Sequence, residues 1–234
     1  MANDPVAHVT TLTFDVFGTV LDLTGSIVRP TERFLAGRDS PVDGASFWRQ
    51  WRARQRIEQY QDTMLSQGHG GYLETCRRAL VYCLRQNGIE FTADEIRTFM
   101  EVWRELIPYD DAVPGLRRLK GRYRLVALSN GETWLLEHLA ANRIGFEFDA
   151  IISVDQAGAF KPHPSVYRHA ARELGAEPSE IMMVAAHSFD IMGARASGYR
   201  GAYVDRYRLP TEDSPYQPDI VVHDFIELAD RLLP

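Results

Sequence analysis

Val9-Thr10-Thr11-Leu12-Thr13-Phe14-Asp15-Val16-Phe17-Gly18-Thr19-Val20 is the stretch from which the fold is read. Its first six residues are a β-prone run, Asp15 closes the run, and Gly18 follows where the backbone must turn sharply. The reading is a strand with a loop at its carboxyl end. Backbone amides turning around a glycine beside an acid can hold an anion against a carboxylate. A single Asp in a loop is more commonly a turn former or helix cap, so the rest of the chain must decide.

Downstream, from Thr24 to Met100, strand signals are scarce and apolar residues fall at helical spacing in Phe47 to Leu65, Tyr72 to Asn87 and Thr92 to Leu106. Asn87-Gly88 supplies a helix stop, Thr92 with Glu95 a capping box for the next helix, and the insert's last helix ends before Pro108. After Val113-Pro114-Gly115 the pattern alternates. A helix runs to Arg122, then strand Arg124 to Leu128, helix Thr133 to Asn142 and strand Ala150 to Ser153. Helix Pro164 to Leu174, strand Ile181 to Ala185, helix Asp190 to Ser197, strand Gly201 to Val204 and a strand near Ile220 complete it. Such alternation predicts an α/β fold: a Rossmann-like, doubly wound, mostly parallel sheet with a helical cap inserted after the first strand. The expected division is a core of residues 1–22 and 109–234 with a cap of residues 23–108. The loop Tyr207 to Pro218, rich in Pro and acidic residues, is the expected mobile segment.

The 234 residues, 45% of them hydrophobic, suffice for a sizeable core. A net charge of −6, with Lys and Arg scattered, gives no footprint for nucleic acid or an anionic membrane. Met1 to Thr10 lacks a basic stretch followed by an apolar run, and no segment offers 18 uninterrupted apolar residues, so a soluble cytoplasmic protein with a small-molecule partner is expected. Cys76 and Cys83 share a helix face without metal-type spacing and read as ordinary buried thiols.

Three further segments join Asp15 as candidates for chemistry. Ala127-Leu128-Ser129-Asn130-Gly131 ends a strand in a hydroxyl and an amide, which alone would suit a helix cap. Phe160-Lys161-Pro162-His163-Pro164 pins a lysine by the prolines that follow it, with Tyr167 six residues on, where a lone lysine is ordinarily a solvated charge. Met182-Met183-Val184-Ala185-Ala186-His187-Ser188-Phe189-Asp190 delivers a histidine and an acid to a strand tip, where Asp190 could equally cap the next helix.

An acid, a Ser, a Lys and an Asp at four successive strand ends, in that order, resemble the four motifs of the haloacid dehalogenase superfamily over essentially the whole chain. Within it the sequence is similar to the type II, or L-2-haloacid, dehalogenases, and Ala185-Ala186-His187 to a subgroup with that version of the fourth motif. Phosphatases of the superfamily carry at the place of Phe17 a second acid that protonates a leaving oxygen. Phe17 has no proton to give, whereas a halide leaves as a stable anion and needs none.

The resemblance implies that Asp15 displaces halide from a short 2-haloacid, forming an ester that water hydrolyses to a 2-hydroxy acid. Lys161 would hold Asp15 ionised, Thr19 and Ser129 would orient it and the substrate carboxylate, and the Val16 and Phe17 amides would bind that carboxylate. Arg52, beside Trp51 on the cap, and Asn130 would receive the halide, with Tyr167 also at the substrate. His187, near its ordinary pKa of about 6.5, would activate water with Asp190 orienting it. Neither cofactor nor metal is expected, and the oligomeric state stays open between monomer and homodimer. The alternatives are a Mg²⁺-dependent phosphatase binding metal through Asp15, Asp190 and the Phe17 carbonyl, an azetidine carboxylate hydrolase, and a non-catalytic module.

Overall fold

Thr11–Phe14 forms β1, all four residues buried, as a strand covered on both faces must be. The computed structural model describes residues 6–66 and 70–233, so residues 1–5 of the Met1 to Thr10 stretch lie outside it. A short β2 (Leu21–Asp22) leads into α1 (Leu23–Leu35), α2 (Gly44–Met64), α3 (Tyr72–Gln86), α4 (Ala93–Met100) and a 3-10 turn at Glu101–Arg104. Then β3 (Ile107–Pro108) pairs antiparallel with β2, joining the two ends of the helical stretch.

The remaining elements alternate: α5 (Ala112–Leu119), β4 (Arg124–Ser129), α6 (Thr133–Leu139), β5 (Ala150–Ser153), α7 (Pro164–Leu174), β6 (Ile181–Ala185), α8 (Ser188–Ala196), β7 (Arg200–Val204), β8 (Ile220–Val222) and α9 (Phe225–Leu232). The six-stranded sheet has the order β5-β4-β1-β6-β7-β8, and every neighbouring pair is parallel. From β1 the chain fills one side of the sheet, then returns to fill the other. The carboxyl ends of β1 and β6 therefore flank the switch point, where a doubly wound sheet binds its ligand.

Two helices escaped the sequence reading. In α1 the signal was masked by Pro30 and by Thr24-Gly25 in the first turn, yet Asp22 caps it by accepting from the Gly25 amide at 2.9 Å. Leu23, Ile27, Thr31 and Leu35 form its buried stripe. The other, α9, is eight residues long and packs on α5, where a side chain on Gly115 would stand only 2.6 Å from the Phe225 carbonyl.

Two predicted helices end earlier than their spacing suggested. The one from Thr92 tightens into the 3-10 turn after Met100, and the one from Thr133 widens into a π turn, Ala140–Ile144, closed by Gly145 at φ +64°. The capping box of Thr92 and Glu95 is present. Cys76 and Cys83 are free, buried thiols on α3. The loop from Tyr207 is tethered: Tyr207 Oη donates to the Gly18 carbonyl at 3.1 Å and Ser188 Oγ to Glu212 at 2.7 Å. Among the described residues no helix is long and apolar enough to cross a membrane.

Candidate active site

The Asp15 amide donates to the Val184 carbonyl at 3.0 Å, extending the β1–β6 ladder by one bond and leaving the carboxylate beyond it. Three groups converge on that carboxylate. Thr19 Oγ1 donates to Oδ2 at 2.7 Å, Lys161 Nζ to Oδ1 at 3.2 Å, and His187 Nδ1 lies 3.1 Å from Oδ2. The Ala186 amide donates to Thr19 Oγ1 at 2.9 Å, so that hydroxyl has its proton left for Asp15. Gly18, at φ +90°, lets the loop pass close under its neighbours, since a Cβ there would meet Tyr207 Oη at 2.5 Å and His187 Cε1 at 3.0 Å.

Lys161, only 2% exposed, reaches in from the turn before α7 and also donates to Asp190 Oδ2 at 2.7 Å. Burial works against both charges, but two carboxylates outweigh it for Lys161, whose pKa is raised. For Asp15 too burial is opposed, by Lys161 and by the His187 and Thr19 hydrogen bonds, which hold the carboxyl well below its usual range. Burial, with Asp15 close by, pushes Asp190 up. Asp15 is therefore the more readily ionised of the two, and Asp190, raised only to about 6, is also mostly charged at neutral pH.

Burial pushes His187 down to about 4, against the pull of the Asp15 hydrogen bond and charge. This corrects the expectation of an ordinary histidine near 6.5. Arg52 Nη2 stands 3.3 Å from His187 Nε2 and Nη1 donates to Gln55 Oε1 at 2.7 Å. A guanidinium only donates, so Nε2 is the acceptor and Nδ1 carries the proton given to Asp15.

These groups enclose a cavity of about 20 Å³, room for about one water. Phe17 forms one wall, its ring stacked on Tyr72 at 4.3 Å and edge-on to Trp103 at 6.1 Å. Ser129 ends β4 with its Oγ buried and, among the described residues, unpartnered; the Val16 and Phe17 amides likewise find no acceptor there. Asn130 is a frame for its neighbours: Oδ1 accepts the Lys161 amide at 2.9 Å and Nδ2 donates to Gln59 at 3.2 Å.

Tyr167 is placed differently from the expectation. It is fully buried behind Asp190, donating to Oδ1 at 2.7 Å, and does not line the cavity, so it supports an acid instead of meeting a ligand. Asp190 is in the first turn of α8, and the position before that helix belongs to His187. Of the other cap arginines, Arg54 pairs with Glu58 and Arg49 sits outside on Ser46. The residues the sequence reading missed at the cavity are Arg56, Gln59 and Phe189. Helical spacing from Arg52 could have found the first two. The chemistry available is that of a shielded, ionised carboxylate facing a wall of cationic (Arg52, Arg56), polar (Gln59, Asn130) and aromatic (Phe17, Tyr72, Phe189) side chains.

Residues 9–198 match the family described as haloacid dehalogenase-like hydrolases. The chain is 33% identical over 194 residues, 82% of it and 74% of the relative, to an (S)-2-haloacid dehalogenase of Xanthobacter autotrophicus. It is 29% identical over 216 residues, 90% of it and 92% of the relative, to haloacetate dehalogenase H-2 of a Moraxella species. The structure of an L-2-haloacid dehalogenase from Xanthobacter autotrophicus with chloropropionic acid covalently bound superposes with a TM-score of 0.84 at 28% identity, covering 96% of this chain and 98% of that one.

Proposed function

Because the chain belongs to the haloacid dehalogenase-like hydrolases, and acts on the carbon–halide bond of short 2-haloalkanoic acids to give 2-hydroxy acids, we propose that Asp15 is its nucleophile. The observation that carries this reading is the Asp15 carboxylate itself, buried, held ionised by Lys161, and aimed at a cavity whose facing wall, Phe17, has no proton to donate. An Asp15 oxygen attacks C2 from the side opposite the halogen, the C–O bond forms as the carbon–halogen bond breaks, and the electron pair leaves on the halide. Ser129 Oγ and the Val16 and Phe17 amides, all without acceptors among the described residues, suit the substrate carboxylate. Arg52 receives the halide from the cap side, for which residues 23–108 serve as the cap over a core of 1–22 and 109–234.

Water then attacks the ester carbonyl carbon of Asp15. In leaving His187 for the halide, Arg52 frees Nε2 to accept the proton of that water, and Asp190 with Tyr167 keeps Lys161 in place. Single turnover in ¹⁸O-labelled water tests the mechanism, because attack on the ester carbonyl leaves the label in the Asp15 carboxylate and none in the first hydroxy acid released. Label in that first product instead would mean direct displacement by water.

A further inference from the structure

Arg52, Arg56 and Gln59 lie four and three residues apart, on one face of α2, and all three line the cavity over Asp15. Arg52 is engaged with Gln55 and His187. Arg56 is not. Its Nε is buried with no acceptor among the described residues, and the aromatic face of Phe189, 5.4 Å from its Cζ, is a neighbour that offers no counter-charge.

Gln59 repeats the pattern. Since Asn130 Oδ1 accepts the Lys161 amide, Asn130 Nδ2 must be the donor to Gln59 Oε1, and this fixes which way the Gln59 amide is turned. Its Nε2 is left buried without an acceptor among the described residues. Buried donors are ordinarily satisfied, and two together beside a cationic group mark a place for an anion. The anion that the proposed reaction releases into this cavity is a halide, and these donors face it.

Resting on the dehalogenase reading, we propose that Arg56 and Gln59 form a second halide subsite, which shares the departing ion with Arg52 and makes fluoride a usable leaving group. In that step Asp15 bonds to C2 of fluoroacetate, the C–F bond breaks and its electron pair departs on fluoride, with no proton consumed. Fluoride has the most compact charge of the halides and depends most on hydrogen-bond donors, while bromide spreads its charge and depends on them least. Donors already in place act on that charge as it develops, and the rigid fork of an arginine supplies several at once.

The test measures fluoride release from fluoroacetate and bromide release from bromoacetate, on the intact chain. Wild type releases both ions. Arg56→Met lowers kcat for fluoride by roughly 100-fold but for bromide by only roughly 5-fold, and Arg56→Lys, which keeps the charge without the fork, falls between. Should Arg56→Met fail to fold, as judged by circular dichroism, Gln59→Met carries the same comparison. Equal losses on the two substrates, or a wild type that releases bromide and not fluoride, overturn the second subsite and leave the dehalogenase reading standing. A wild type that releases neither ion overturns that reading itself.

Discussion

His187 Nδ1 lies 3.1 Å from Asp15 Oδ2, so the proposed base and the proposed nucleophile share a hydrogen bond before any substrate arrives. The imidazole therefore bears on both halves of the reaction, by orienting the carboxylate and later by accepting a proton at Nε2.

His187→Asn separates the two. An asparagine amide nitrogen overlays the position of Nδ1 and keeps the donor to Asp15, but nothing replaces Nε2. The variant is expected to release about one halide per active site in a burst and then stall, with the mass of Asp15 raised by the ester. His187→Ala, which loses both functions, should slow the burst as well. Steady turnover at the wild-type rate by His187→Asn would remove the histidine from the hydrolytic step.

The pH dependence follows from burial. A histidine titrates near 6.5 in the unfolded chain and His187 near 4 in the folded one. Between those values the unfolded state binds a proton that the folded state refuses, so this group costs the protein stability as pH falls from about 6.5 toward about 4. The neutral base persists through the same window. Its titration should thus leave kcat level from neutrality to about pH 5, with the fall setting in nearer 4. A kinetic pKa near 6.5 that disappears in His187→Asn would contradict the buried assignment.

Asp15→Asn removes the attacking oxygen in a nearly isosteric change. Halide release should drop by at least roughly 1000-fold while the circular dichroism spectrum is kept. Retention of a tenth of the activity, with deamidation excluded by mass spectrometry, would end the covalent mechanism.

Thr19→Val strips away the hydroxyl between the Ala186 amide and Asp15 Oδ2. A buried amide then lacks its acceptor, at a cost of about 1–3 kcal/mol measurable by urea unfolding. The nucleophile loses a donor, so kcat should fall about tenfold or more. Unchanged stability and rate would show that water replaces the hydroxyl.

Tyr167→Phe keeps the ring and removes the bond to Asp190. Since Tyr167 does not reach the cavity, kcat should fall several-fold, roughly the loss of one charge-assisted hydrogen bond, with KM unchanged. A rise in KM at constant kcat would return Tyr167 to the substrate.

What the sequence determined by itself was everything written locally. The run Thr11–Phe14 ending in Asp15, the strand–helix alternation after Val113, the box of Thr92 and Glu95, and the order of Asp15, Ser129, Lys161 and Asp190 along strand ends are all features of short windows. A parallel sheet with right-handed crossovers leaves few other ways to bring those ends together. Tertiary structure decided what depends on packing between distant elements. Which face of α2 turns toward β1 selects Arg52, Arg56 and Gln59 over Arg49 and Arg54. The docking of α7 behind α8 puts Tyr167 under Asp190 and away from any ligand. Burial of His187 beneath Arg52 sets its proton affinity, because desolvation is a property of the whole enclosure and no residue type or spacing encodes it.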